Sequence, residues 1–200
     1  MTTNPQTAKT SATNAKTPAP HATPPPMPPE GKPFQVGATT ALVETVKPKT
    51  GAPTVTLRLK RVIQAPPERI YQAFLDPDAL AAWLPPHGMV AKTHSLEPRV
   101  GGKFRMSFYT VNKSWSSSFG GTYVELVPIK RIVHTDEFET DDAARKGEMR
   151  VTITLTPVED GTLVEVEQAG IPAPVAGGSP YGWSQSFEKL AQLVEPELPF

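Results

Sequence analysis

The chain has 200 residues, no cysteine, and 20 basic residues balanced by 20 acidic ones. That length suits one domain with an extension, and the balanced charge gives no global reason to expect a nucleic-acid or acidic partner. The missing cysteine excludes disulfides and thiolate chemistry and suits a reducing compartment, and no apolar run reaches the roughly 18 residues that span a bilayer.

Pro, Thr and Ala dominate residues 1–33, ending in "PAPHATPPPMPPEGKP". Such a segment buries too little apolar surface to offset its ordering entropy, so residues 1–50 are expected to form a disordered extension to a domain at 51–200. Within it, "FQVGATTALVETV" (34–46) is richer in β-branched residues and is a candidate edge strand or loosely docked segment. The opening residues lack the apolar core of a signal peptide, so a cytoplasmic location is expected.

From Thr54 the pattern changes. "TVTLRLKRVI" alternates Val55, Leu57 and Leu59 with polar residues, as a half-buried strand does. "APPERIYQAFL" then places Ile70 and Phe74 on one helical face, with proline tolerated in the first turn. A second short helix follows, with Asp76 as N-cap, Pro77 first, and Leu80, Trp83 and Leu84 in register. Pro85 and Pro86 stop it.

Six strands come next. "MVAKTHSLEP" is weakly patterned. "KFRMSFYT" puts Phe104, Met106 and Phe108 on one face, and "SWSSSFGGTYVELV" follows. In "RIVHTDEF", Ile132, His134, Asp136 and Phe138 share a side. "EMRVTITL" aligns Met149, Val151, Ile153 and Leu155, and "TLVEVEQAG" aligns Thr162, Val164, Val166 and Gln168. Short connections imply antiparallel neighbours. The last element is a helix of about 15 residues, capped by Ser179 and ended by Pro196. Trp183, Phe187, Leu190, Ala191 and Val194 form its stripe.

The order β-α-α-β6-α describes an α+β protein in which a curved antiparallel sheet of seven strands wraps a long C-terminal helix. Order and motifs together resemble the START-like helix-grip superfamily (SRPBCC), also called the Bet v 1-like or polyketide cyclase group. More narrowly, they are similar to the C-terminal domain of the activator of heat-shock-protein-90 ATPase. The residues that carry the resemblance are "RVIQAPPERIYQAFLDPDALAAWLPP", "RVGGKFRMSF", "GGTYVELVPIKRIVHT", "VTITLTPVEDGTLVEVEQAGIP" and "YGWSQSFEKLAQLVEP". The resemblance covers about residues 54–197 and implies a hydrophobic cavity between sheet and helix. It does not name an occupant.

The inward faces supply Phe104, Met106, Phe108, Phe138 and Met149, and Trp83, Trp115 and Trp183 can reach the same space. These residue types suit either a filled core or a broad apolar pocket, and the resemblance favours the pocket. His134, Asp136, Tyr123 and, if its strand runs unbroken, Glu125 place polar groups on the same side. They can form a local hydrogen-bond network, orient a ligand, or act as acid and base. His87, beside the helix stop, is expected at the pocket rim.

Other chemistries lack their motifs. No HxxxH or HExxH spacing occurs, so no metal site is expected. "VAGGSPYG" is not a nucleophile elbow, and "VGGK" leads into a strand, unlike a phosphate loop. No cofactor is implied. From Thr54 onward 15 basic residues face 18 acidic ones, which disfavours nucleic acid. The expected partner is a hydrophobic small molecule. Two alternatives stand beside that reading: a co-chaperone-like module that binds a chaperone, and a cavity enzyme of the cyclase or aromatase type. Oligomeric state is left open.

Overall fold

The computed structural model describes residues 30–47, 49 and 51–196. The disorder expected for the proline-rich start concerns residues 1–29, which lie outside the described residues. Residues 34–46, read as part of the extension, form two strands of the sheet: β1 (Phe34–Val36) and β2 (Thr39–Val46). The sheet therefore has nine strands, where the sequence pattern suggested seven. Ala41 and Val43 explain the difference. Both are buried, and they face Leu59 and Leu57 of the next strand in antiparallel register.

β3 (Thr54–Ile63) leads into helices α1 (Pro67–Leu75) and α2 (Pro77–Trp83). Asp76 caps α2 as expected, accepting from the backbone N–H groups of Asp78 and Ala79 at 3.1 and 2.7 Å. An antiparallel meander follows: β4 (Met89–Leu96), β5 (Lys103–Thr110), β6 (Ser116–Val127), β7 (Arg131–Phe138), β8 (Met149–Val158) and β9 (Gly161–Pro172). The chain closes with a single turn, α3 (Ala173–Ala176), and the long helix α4 (Ser179–Val194). Strand order is β1-β2-β3-β9-β8-β7-β6-β5-β4. This is the helix-grip arrangement: a large antiparallel sheet holding a C-terminal helix.

One local expectation is corrected. Ser179 does not cap α4; its hydroxyl donates to the Val175 carbonyl at 3.4 Å, and Gly178 holds the N-cap position. The turn of α3 brings the chain into α4 already helical, which leaves the serine a carbonyl rather than a free N–H. Arg61 differs from its exposed neighbours Arg58 and Lys60. It shares the alternation of Leu57, Leu59 and Ile63, and its Nε is buried without a hydrogen-bond partner.

The core consists of the inward residues of β3, β8 and β9 under the stripe of α4. Phe187 and Leu190 are completely buried there. At about 25 cal/mol per Å2, each such side chain contributes roughly 2 kcal/mol. α4 packs against β1, β2 and β3 and against α1, α2 and α3. Ser184 fastens it to the first hairpin by donating to the Val36 carbonyl at 2.6 Å. The helix thus leans towards one half of the sheet. The inward faces of β5, β6 and β7 are left to line open space.

Candidate functional site

That space is a cavity of about 320 Å3. Its wall is mostly aromatic. Phe104, Met106 and Phe108 from β5, Phe119 and Tyr123 from β6, and Phe138 from β7 supply the sheet side. Trp83 from α2 and Trp183 from α4 close the helix side, and Trp115 comes from the β5–β6 connection. The rings pack edge to face: Phe108 on Phe119 at 4.8 Å between centroids, and Phe74 on Trp83 at 4.7 Å. Such pairs hold each other's orientation and keep the wall rigid. Trp83 also donates its indole N–H to the Ala73 carbonyl at 2.9 Å.

The polar groups on this wall divide into spent and unspent. Gln168 accepts from the Trp183 indole at 2.8 Å and donates to the Met149 sulfur at 3.3 Å. Ser186 donates to the Leu84 carbonyl at 2.6 Å. These groups are committed to the protein. His134 and Asp136 are different. Both project inward from β7, one pleat apart. His134 makes one hydrogen bond, from Nδ1 to its neighbour's carbonyl at Thr135, 2.9 Å away. A carbonyl only accepts, so Nδ1 carries the proton and Nε2 offers a lone pair. Oδ1 of Asp136 is buried and has no partner among the described residues.

Burial dominates the titration of both groups. It lowers the His134 imidazole to about 4, against a small opposing effect of the Thr135 carbonyl. It raises the Asp136 carboxyl to about 7, opposed only by the Glu137 backbone N–H. Tyr123 is likewise pushed up to about 12 by burial, with Tyr71 adding to the effect. The site therefore holds a neutral imidazole beside a carboxyl that changes charge near neutral pH.

Ten of the thirteen residues expected from the sequence line the cavity: Trp83, Phe104, Met106, Phe108, Trp115, Tyr123, His134, Asp136, Phe138 and Trp183. Three do not. Glu125 is turned outward, 3.4 Å from Arg131, because the β6–β7 register shifts between Tyr123 and Glu125. One extra residue in a strand sends the following side chains to the other face. Met149 is fully buried beneath the Gln168 amide. His87 lies outside, 53% exposed, with its Nε2 3.9 Å from Glu188. Its backbone N–H binds Gln185 at 3.0 Å, and Lys189 binds the Pro85 carbonyl at 2.9 Å. The turn at 84–87 is thus stapled to α4 beside the cavity.

Phe119 and Arg145 are among the lining residues that the sequence did not single out. Phe119 sits in the polar run "SSSFGG", yet it stands opposite Phe138 in the ladder and is buried. Arg145 lies in a charged loop that reads as solvated. It instead folds back with its guanidinium 5.1 Å from the Phe138 ring centroid and 3.4 Å from the Ser117 hydroxyl. A larger groove of about 470 Å3 crosses the outer face of the sheet. Arg58 there pairs with both Glu44 and Glu167.

Among the described residues, no cluster of three or more His, Asp or Glu side chains is placed to hold a metal ion. No helix among them is long and apolar enough to cross a membrane.

Comparison with known proteins agrees with this architecture. The family model described as "Activator of Hsp90 ATPase homolog 1-like protein" matches residues 64–195. A crystal structure from Chromobacterium violaceum is 49% identical, with a TM-score of 0.68, over 71% of this chain and 98% of that one. One from Mesorhizobium loti is 30% identical, with a TM-score of 0.56, over 69% and 95% of the two chains. One from Rhodobacter sphaeroides, 23% identical with a TM-score of 0.61 over 76% and 96%, shares the fold. No curated protein matches the chain. With the matched region running from the start of α1 to the end of α4, the chain belongs to the Activator of Hsp90 ATPase homolog 1-like family.

Proposed function

We propose that this protein binds a small hydrophobic or amphipathic molecule in the cavity between its sheet and α4. The observation that carries the proposal is the cavity itself. A space of about 320 Å3 is walled by rigid aromatic rings, and its few uncommitted polar groups lie close together. Ligand sites have this make-up: apolar walls for affinity and few polar groups for orientation. A core meant only for stability would be filled, because empty apolar volume destabilises by about 24 cal/mol per Å3.

All three tryptophans of the chain line the cavity, so the protein's own fluorescence reports occupancy. Titration with apolar compounds is expected to change the emission saturably. Native mass spectrometry is expected to show a one-to-one complex. A protein that takes up no apolar compound by either measurement would overturn the proposal.

A second reading follows from the family description: a module acting on the heat-shock-protein-90 chaperone. A binding and ATPase assay with the cognate chaperone tests it, and no binding at micromolar concentration would count against it. Catalysis in the cavity is the third reading. Of its candidates His134, Asp136, Tyr123 and Glu125, the first three line the cavity, and turnover that survives their replacement would remove it. For all three readings, the absence of cysteine suits a cytoplasmic protein.

A further inference from the structure

We infer that the cavity selects an uncharged ligand carrying a hydroxyl group, which it seats between Asp136 and His134. The inference rests on the cavity being a ligand site and specifies what occupies its polar end.

The argument begins with hydrogen-bonding capacity. A buried polar atom without a partner is costly, so native proteins satisfy nearly all of them. Here the exceptions are not scattered over the wall. Gln168 and Ser186 are occupied by Trp183, Met149 and Leu84. The unspent capacity lies at Asp136 and Nε2 of His134 on β7 and at the Arg145 Nε beside Phe138, a donor that a ligand oxygen can satisfy. The imidazole cannot turn to find another partner. Its Nδ1 is held by Thr135, and its ring packs edge to face on Phe104 at 5.0 Å. Nε2 therefore waits as an acceptor, in a direction set by the protein.

A ligand group for this corner must donate to His134 and also satisfy a carboxyl in either protonation state. A hydroxyl does both. It donates to an imidazole nitrogen or a carboxylate, and it accepts from a protonated carboxyl. Ether and ester oxygens cannot donate. An ammonium group would face the Arg145 guanidinium, which lies on the same wall over Phe138. A carboxylate would meet the Arg145 guanidinium but has no proton to donate to Nε2 of His134, which would stay unpaired.

A set of four probes on one ring system separates the polar end from the apolar body: naphthalene, 2-naphthol, 2-naphthoate and 2-naphthylmethylamine. Calorimetric titration of the full chain at pH 6 is expected to show 2-naphthol binding about tenfold more tightly than naphthalene, the size of one well-made hydrogen bond. Asp136→Leu, alike in branching but without hydrogen-bonding capacity, is expected to bring that ratio near one while naphthalene still binds. His134→Phe reads the same subsite independently should the first variant fold poorly. Equal affinity of naphthol and naphthalene for the natural protein would overturn the inference and leave the cavity proposal standing. Tightest binding of the naphthoate or the amine would overturn it in favour of an ionic ligand. Binding of none of the four would overturn both.

Discussion

Trp183 and Gln168 meet across the back of the cavity, indole N–H to amide oxygen at 2.8 Å. With the second bond from Gln168 to the Met149 sulfur, one amide joins α4, β9 and β8. Gln168→Leu keeps the bulk but leaves the indole N–H unpaired. The expected loss is about 1–3 kcal/mol, read as a lower denaturation midpoint with unchanged m-value. The Trp183 emission should shift as well. An unchanged midpoint would mean that the bond contributes nothing net.

His134 and Asp136 pull the pH dependence of stability in opposite directions. His134 falls from 6.5 unfolded to about 4 folded, so between those values the unfolded chain binds more protons, and its contribution to stability rises with pH. Asp136 rises from 3.8 to about 7, so the folded chain binds more protons, and its contribution falls across that window. In the protein as it stands the two slopes largely cancel between pH 4 and 6.5. Asp136→Asn is expected to tilt the stability profile upward with pH relative to the natural protein, and His134→Phe to tilt it downward. Each tilt is limited to one proton, about 1.4 kcal/mol per pH unit. Parallel profiles for all three proteins would show that the two side chains do not titrate as described.

At Gly121, β6 lies close against the backbone of β7. A Cβ there would overlap the Thr135 carbonyl oxygen and reach within 3.1 Å of the Asp136 nitrogen. Gly121→Ala must push the strands apart beside the polar corner. A loss of more than about 2 kcal/mol is expected, as for other substitutions that overpack a buried site. Thermal denaturation measures it, and a variant as stable as the natural protein would show that the strands can yield.

Two residues that resembled site residues should prove indifferent. His87 and Glu125 are half exposed and paired only loosely, with Glu188 and Arg131 respectively. Alanine at either position is expected to change stability by less than about 1 kcal/mol and to leave ligand affinity within twofold. A tenfold loss of affinity at His87 would restore it to the cavity entrance.

What the sequence disclosed, and what it hid, follows from the range of the forces involved. Alternation in β3, β7, β8 and β9 is a local pattern, and it identified the inward set containing His134, Asp136 and Gln168. The Asp76 cap and the proline stop after Leu84 are equally local. Glu125 was misplaced because a bulge has no strong signature in "TYVELV" and reverses every later side chain. Arg145 was hidden for the opposite reason. Its loop has the composition of solvated chain, and only the Phe138 ring, brought near by the hairpin, draws the guanidinium in. The β1–β2 hairpin was hard to place because its burial depends on β3 and Ser184, both distant in the chain or supplied by another element.

The strand order has one further consequence. Every neighbouring pair in the sheet is adjacent in the chain except one, β3 with β9. That seam joins Thr54–Ile63 to residues about a hundred positions later, so it carries the largest loop-closure cost in the molecule. Two meanders can form early, β1 to β3 and β4 to β9, but neither encloses anything. As the chain leaves the ribosome, β3 must wait for β9, and α4 emerges last of all. The cavity is therefore absent until α4 has been made, and its closure is a late event that reports completed synthesis of the domain.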